Sequence, residues 1–280
     1  MIELKLVDKS FIMCGPSMGT GSTGKAPTKI KWNNQTNNDI IVFTDYCLQE
    51  VFNYNNKIKI ALILEPISVV PQIYQWIKQN YQYFNYVLTF DNDLLKISNK
   101  FIFSPNATGH WLKDEDIKIH NKSKLISIFA SNKNTTDGHI LRHSIITNYR
   151  SKIDGLFGRG SYGFLNDKAD GLRDYAFHIT VENTRKDYYF SEKLIDALLT
   201  GCIPIYSGCP SINNFFNSRG ILQFSNIKEF DKIIKFINFD YYKMLYDEGI
   251  IQENFKRAMN YLYPEDYIYD KLFKNILEEK

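Results

Sequence analysis

Residues 177–212 read FHITVENTRKDYYFSEKLIDALLTGCIPIYSGCPSI. The stretch opens as an apolar strand ending at Glu182-Asn183 and passes through the polar loop TRKDYYF. It then enters a helix with Ser191 at the N-cap and Glu192-Lys193 in the first turn. Leu194, Ile195, Leu198 and Leu199 form one apolar helical face, so Lys193 and Asp196 project elsewhere. Gly201 ends the helix, and a second apolar strand, CIPIYSG, follows at 202–208. A strand, a helix and a further strand make a βαβ unit, and strands this continuously apolar belong to a parallel sheet covered on both faces. The free N–H groups and positive dipole end of the helix favour an anion such as phosphate. Lys193 adds a point charge there, and Glu192 offers acceptors for sugar or ribose hydroxyls. An ordinary capped helix with a solvated Glu-Lys pair accounts for the same residues equally well.

The same alternation extends in both directions. Upstream lie the strands IIVFTD (40–45), KIKIALILE (57–65), YVLTF (86–90) and KFIFSP (100–105), with a helix in VVPQIYQWIKQNY. A charged, polar stretch, WLKDEDIKIHNKSK (111–124), interrupts them. Strand LISIFAS (125–131), helix DGHILRHSIITNYR (137–150) and strand AFHITVEN (176–183) then follow, and a short ILQF strand precedes helical sequence. Two blocks of this kind predict an α/β chain of two doubly wound, Rossmann-like domains, with ligands at the carboxyl ends of the strands in a cleft. The divisions are drawn at 1–118, 119–262 and a C-terminal helix over 263–280.

The 280 residues are 44% apolar and 15% aromatic, which supplies a core and excludes wholesale disorder. A net charge of +3 gives no reason to expect nucleic acid as a partner. No stretch approaches the ~18 apolar residues of a membrane span, and the N-terminus lacks a secretory signal pattern. The N-x-[ST] sequons at Asn34, Asn106, Asn121 and Asn134 are then products of an Asn-rich composition. Cys14, Cys47, Cys202 and Cys209 show neither zinc-ligand spacing nor a CxxC pair. The expectation is a reduced, soluble, cytoplasmic protein.

Two motifs mimic other chemistries. GTGSTGK at 19–25 fills seven of the eight positions of a P-loop, but Ala26 stands where a hydroxyl should hold Mg²⁺ and no apolar helical stripe follows. A glycine-rich surface loop is the reading. YVLTFDND at 86–93 ends in Asp91-Asn92-Asp93, and two carboxylates so spaced can share a divalent cation beneath a nucleotide diphosphate. Strand termination and helix capping by Asp91 and Asn92 explain the residues more simply. FGRGSYG (157–163) allows close backbone approach to a nucleotide or an ordinary turn, and His110, His139 and His143 are read as surface or core residues. Asn132 ends the IFASN strand, where either phosphate or a turn suits it.

VENTRKDYYFSEKLIDALLTGCIPIYSG resembles the donor-binding signature of the α-1,3-fucosyltransferases, glycosyltransferase family ten. That signature runs F-E-N-S/T, a short loop, Y-x-T/S-E-K, a helix with small residues, then G-x-I/V-P-V/I-x-x-G. Val181 replaces its Phe and Ser191 its usual Thr. Weaker similarity covers 125–146 and 59–95, and hardly any of the first 55 residues. The resemblance implies a GT-B fold, with an acceptor-side N-terminal domain, a GDP-sugar domain and a last helix that crosses back to the first domain. It implies inverting transfer of L-fucose from GDP-fucose to a glycan hydroxyl, without cofactor or metal. Residue by residue, Glu65 in LILEP matches the general base. Arg142 in GHILRHS matches the arginine on the diphosphate and Lys193 the phosphate lysine. Glu192 and Asn183 match residues that hold sugar hydroxyls, and Tyr189 an aromatic beside the nucleotide-sugar. Three other readings stay open: a metal-dependent transferase on Asp91 and Asp93, an inactive glycan- or nucleotide-binding homologue, and, last, a P-loop kinase.

Overall fold

The computed structural model describes residues 1–9, 17, 26–33, 36, 38–55, 57–105, 109–158 and 162–274. The glycine loop at 19–25 and part of FGRGSYG lie outside the described residues. By its internal contacts the chain divides into Met1–Gly109 with Tyr261–Lys280, and His110–Asn260. This division falls upstream of the polar stretch 111–124.

The first unit contains β1 (Ile2–Val7), β2 (Ile30–Trp32), β3 (Ile40–Thr44), β4 (Ile58–Leu62), β5 (Tyr86–Thr89) and β6 (Phe101–Phe103), with helices α1 (Pro71–Asn80) and α2 (Asn92–Leu95). The strands form one parallel sheet in the order β2-β1-β3-β4-β5-β6. All five residues of β3 are buried, as a strand covered on both faces requires. The sequence reading omits β1 and β2: Glu3 and Lys5 interrupt the apolar run of IELKLV, and β2 is three residues long.

The second unit contains β7 (Lys124–Phe129), α3 (Asp137–Tyr149), β8 (Gly155–Phe157), β9 (Tyr175–Val181), α4 (Glu192–Leu199), β10 (Ile203–Ser207), β11 (Leu222–Gln223), α5 (Ile227–Phe236), α6 (Phe239–Asp247) and α7 (Ile250–Ala258). Its sheet is also parallel, in the order β11-β10-β9-β7-β8. All seven residues of β9 are buried. The chain winds outward from β7 to β8 and then returns to β9 on the other side. That reversal is a topological switch point, the place where open α/β sheets bind ligands.

Helix α8 (Pro264–Ile268) and a π-helical turn (Tyr269–Phe273) return to the first unit. Ile268, Leu272 and Phe273 pack with Leu4, Leu6, Ile40, Val42 and Ile60. The Asp266 carboxylate accepts the backbone N–H of Thr28 at 3.0 Å and of Lys29 at 2.8 Å. The indole N–H of Trp32 donates to the fully buried Glu265 at 2.8 Å.

At the switch point of the second sheet, the first turn of α3 touches the end of β9. The Gly138 N–H donates to the Asn183 carbonyl at 3.2 Å, and a Cβ on Gly138 would lie 1.8 Å from the Glu182 carbonyl oxygen. Backbone on both sides leaves nothing flexible to move. Gly138→Ala is therefore expected to destabilise the protein by about 1–3 kcal/mol, measured as a lower urea midpoint at unchanged slope. A variant as stable as the parent would show that the α3–β9 approach is looser than this.

Candidate functional site

The strand β9 delivers Glu182 to the carboxyl edge of the second sheet, where the residue is 1% exposed. Its carboxylate accepts the Ser191 N–H at 2.9 Å and the Ser191 hydroxyl at 2.6 Å. Ser191 in turn caps α4 by accepting the Lys193 N–H. The Lys193 ammonium lies 3.1 Å from the Ser191 hydroxyl, 3.2 Å from Glu192 Oε1 and 3.7 Å from Glu182 Oε2. Burial opposes charge on Glu192, yet Lys193 and Lys168 outweigh it and hold the carboxyl down to about 2. Burial likewise works against the Lys193 ammonium, but Glu192 and Glu182 together raise it above its ordinary value. Burial pushes the Glu182 carboxyl upward, with Lys193 working against it. The start of α4 is thus a compact knot of one ammonium and two carboxyls, with Glu182 buried and the Lys193 and Glu192 side chains partly exposed.

Helix α3 supplies the second wall. The Arg142 guanidinium, 7% exposed, donates from Nη2 to Asn183 Oδ1 at 2.9 Å and from Nε to the Gly138 carbonyl at 3.2 Å. Those two bonds orient its planar fork. His139, also buried, is held down to about 4 by burial and then by the charges of Arg142, Lys133 and Lys193, so it is a neutral imidazole at pH 7. Tyr189 is buried near enough to Arg142 to act on its charge. The preceding Tyr188 has a φ of 64°, uncommon for a bulky residue, and its N–H donates to Cys209 Sγ at 3.1 Å. Asn132 is exposed, in the turn after β7 and so at the same edge of the sheet. The structure therefore gathers Arg142, Asn183, Tyr189, Glu192 and Lys193.

Sequence reasoning missed several members. The sequence marks Glu182 only as a strand end and His139 only as a surface or core residue. Asp196 projects off the apolar face of α4 as expected, but into the protein: it is fully buried, accepts the Trp111 N–H at 2.9 Å and lies 2.6 Å from Lys168 Nζ. The Lys168 ammonium also sits over the Trp111 ring, 4.8 Å from its centroid. The helical periodicity correctly removed Asp196 from the Leu face; nothing in spacing foretold partners so distant in the chain.

In the first unit, Glu65 follows β4 at the carboxyl edge of that sheet, half-buried, beside Asp45. The Tyr74 hydroxyl donates to the Glu65 carbonyl at 3.1 Å. Asp91 is 1% exposed and caps α2, accepting the N–H of Asp93 at 2.9 Å and of Leu94 at 3.1 Å. The Asp93 carboxylate is exposed and 3.9 Å from Lys96. The pair thus behaves as the capping reading describes. Cys47, Cys202 and Cys209 are buried free thiols.

Comparison with known proteins bears on the second unit. Residues 119–248 match the family model of the glycosyltransferase family 10 (fucosyltransferase) C-terminal domain. An α-(1,3)-fucosyltransferase, FucT, of Helicobacter pylori is 32% identical over 121 residues, 42% of this chain and 25% of that protein. A putative fucosyltransferase-like protein of Arabidopsis thaliana is 37% identical over 49 residues, 18% of this chain and 10% of that protein. The chain thus spans a quarter or less of the length of these relatives. Solved α1,3-fucosyltransferase structures share the fold. The one with GDP-fucose gives a TM-score of 0.57 at 18% identity over 92% of this chain and 88% of that one. The one with GDP gives 0.55 at the same identity and coverage. The fold is α/β with two parallel sheets, the GT-B class expected from the sequence. Residues 119–248, which hold the Glu182–Lys193 knot and Arg142, are thus similar to the C-terminal domain of the glycosyltransferase family 10 fucosyltransferases.

Proposed function

We propose that the protein is an inverting, metal-independent glycosyltransferase that moves L-fucose from GDP-fucose to a hydroxyl of a glycan acceptor. The observation that carries this reading is the convergence of Lys193, Arg142, Asn183 and Glu192 at the switch point of the second sheet, inside the matched domain. Cations beside a helix N-terminus suit a diphosphate, and the fork of Arg142 matches two phosphate oxygens. Asn183 and Glu192 hold hydroxyls of the sugar or ribose, Tyr189 flanks the nucleotide-sugar, and Asn132 contributes from the rim.

In the reaction the acceptor oxygen bonds to the anomeric carbon as the bond from that carbon to the phosphate oxygen breaks. The acceptor proton passes to Glu65 as general base. Negative charge builds on the departing GDP, and Lys193 and Arg142, already fixed in place, stabilise it without reorganising. No resident cofactor enters this scheme. A cytoplasmic location accompanies it; no helix among the described residues is long and apolar enough to cross a membrane.

Calorimetric titration of GDP, GDP-fucose and UDP in EDTA tests the donor assignment. GDP and GDP-fucose are expected to bind and UDP to bind at least about tenfold more weakly. Binding that needs added Mn²⁺ would favour Asp91 and Asp93 instead. Absence of guanine-nucleotide binding under either condition would sink the proposal. Binding without turnover on a panel of oligosaccharides would favour the inactive homologue.

A further inference from the structure

The carboxyl edge of the first sheet contains a buried acid to which the reaction above gives no task. The parallel ladder between β3 and β4 stops at Thr44 opposite Leu62. Beyond it the Ile63 N–H turns to the other neighbour, donating to the Leu88 carbonyl at 2.9 Å. The next N–H, that of Leu64, donates to the side chain of Asp45 at 3.0 Å, and the backbone N–H of Glu65 bonds to the same carboxyl. A side chain thus takes over from the sheet where the chain turns to present Glu65. Asp45 is 2% exposed, too enclosed to meet an acceptor sugar itself.

We infer that Asp45 is a positioning residue for Glu65, fixing the Leu64–Glu65 backbone and setting a second carboxyl beside the base. The inference rests on the assignment of Glu65 as that base. Backbone N–H bonds to a buried carboxyl restrict the turn to one conformation, and in general acid–base catalysis a displacement of about 1 Å costs rate steeply. Two neighbouring carboxyls also influence each other's proton affinity. The groups around Asp45 among the described residues are Glu65 after β4, Asp8 after β1 and Tyr74 on α1, with Asp91 acting on Tyr74. The Asp8 carboxylate is engaged by the Thr44 hydroxyl. Burial raises the Asp45 carboxyl to about 7; the N–H bonds of Leu64 and Glu65 oppose this, and the charges of Glu65 and Asp8 add to it. The protonation state of Asp45 therefore changes within the working range of a neutral-pH enzyme.

The test compares the parent with Asp45→Asn, Asp45→Ala and Glu65→Gln. It measures GDP release from GDP-fucose, with an oligosaccharide panel and with water as acceptors, across pH 5–9. Asn keeps the Oδ1 acceptor and loses the titration; Ala loses both. Asp45→Ala is expected to lower kcat about tenfold or more with KM for GDP-fucose little changed. Asp45→Asn is expected to recover most of kcat but to lose the change in rate near pH 7 that ionisation of Asp45 beside the base gives the parent, with the limb at lower pH unmoved. A melting series adds a readout independent of turnover. Folded Asp45 keeps its proton up to about 7, whereas the unfolded group releases it near 3.8, so the parent loses stability as pH rises between those values. Asn cannot titrate, so the Tm of Asp45→Asn should pull ahead of the parent across that window. If Asp45→Ala does not fold, Asp45→Asn carries the test through its pH profile and melting series. Variants at Asp45 that match the parent in kcat and pH profile, while Glu65→Gln is inactive, overturn the positioning role alone. An active Glu65→Gln, or a parent with no GDP release, overturns the base assignment and this inference with it.

Discussion

Glu65→Gln should lower kcat about 10²- to 10⁴-fold while leaving the Kd for GDP within about twofold of the parent. Glutamine matches the shape of the side chain and retains an oxygen acceptor, so the turn fixed by Asp45 and Tyr74 has no reason to move. What disappears is the ability to take a proton from the acceptor hydroxyl as it attacks. The residues assigned to GDP lie in His110–Asn260, and Glu65 lies in the other unit, so nucleotide affinity reports separately from turnover. Steady-state GDP release and calorimetry on the same preparation would show the split. A Glu65→Gln enzyme retaining more than about a tenth of the parental kcat would remove Glu65 from the chemistry.

The second large effect falls on Lys193. Lys193→Ala should weaken GDP binding by about 2–5 kcal/mol, because truncation leaves two neighbouring carboxyls facing the diphosphate without their counter-charge. The geometry makes this more than the loss of one contact: the ammonium is within 3.2 Å of Glu192 and 3.7 Å of Glu182. Acid stability reports the same interaction. Against the opposing effect of burial, Glu192 is held at about 2, well below 4.5. Its pairing therefore stabilises the protein above pH 4.5 and is lost as pH falls toward 2. In Lys193→Ala that part of the acid-induced loss should shrink, so the two melting curves converge below pH 3. Lys193→Arg keeps the charge and should fall between the two. An alanine variant that binds GDP as the parent does would place the phosphate elsewhere on the edge.

Some of this was legible in the chain. Strands β3, β9 and β10 are buried along their whole length, and for that reason they read as largely apolar runs, with His178 and Thr180 interrupting β9. The cap at Ser191 and the amphipathic face of α4 followed from local rules, because a cap and its helix adjoin in sequence. Long-range polar contacts are different. Arg142 meets Asn183, and Asp196 meets both Lys168 and Trp111. Such pairs follow from which strands are neighbours, and a hydropathy pattern does not encode strand order. The resemblance to family ten proposed Arg142, Asn183 and Lys193 as site residues; it gave no hint of Asp45, whose task depends on the register at the end of β4. Strand β8, three residues between loops, carries too little pattern to register at all.

The return of α8 to the first sheet makes that unit discontinuous in sequence, with all of the second unit spliced into it. This has a consequence for the order of events on the ribosome. One face of the first sheet, lined by Leu4, Leu6, Ile40, Val42 and Ile60, is made before the second unit, but its cover of Ile268, Leu272 and Phe273 is translated only after it. The second unit is one uninterrupted segment and can close as soon as it emerges. Of the two units, the one begun first is thus the one completed second, and while the other is being made it holds an apolar sheet face that a chaperone would recognise.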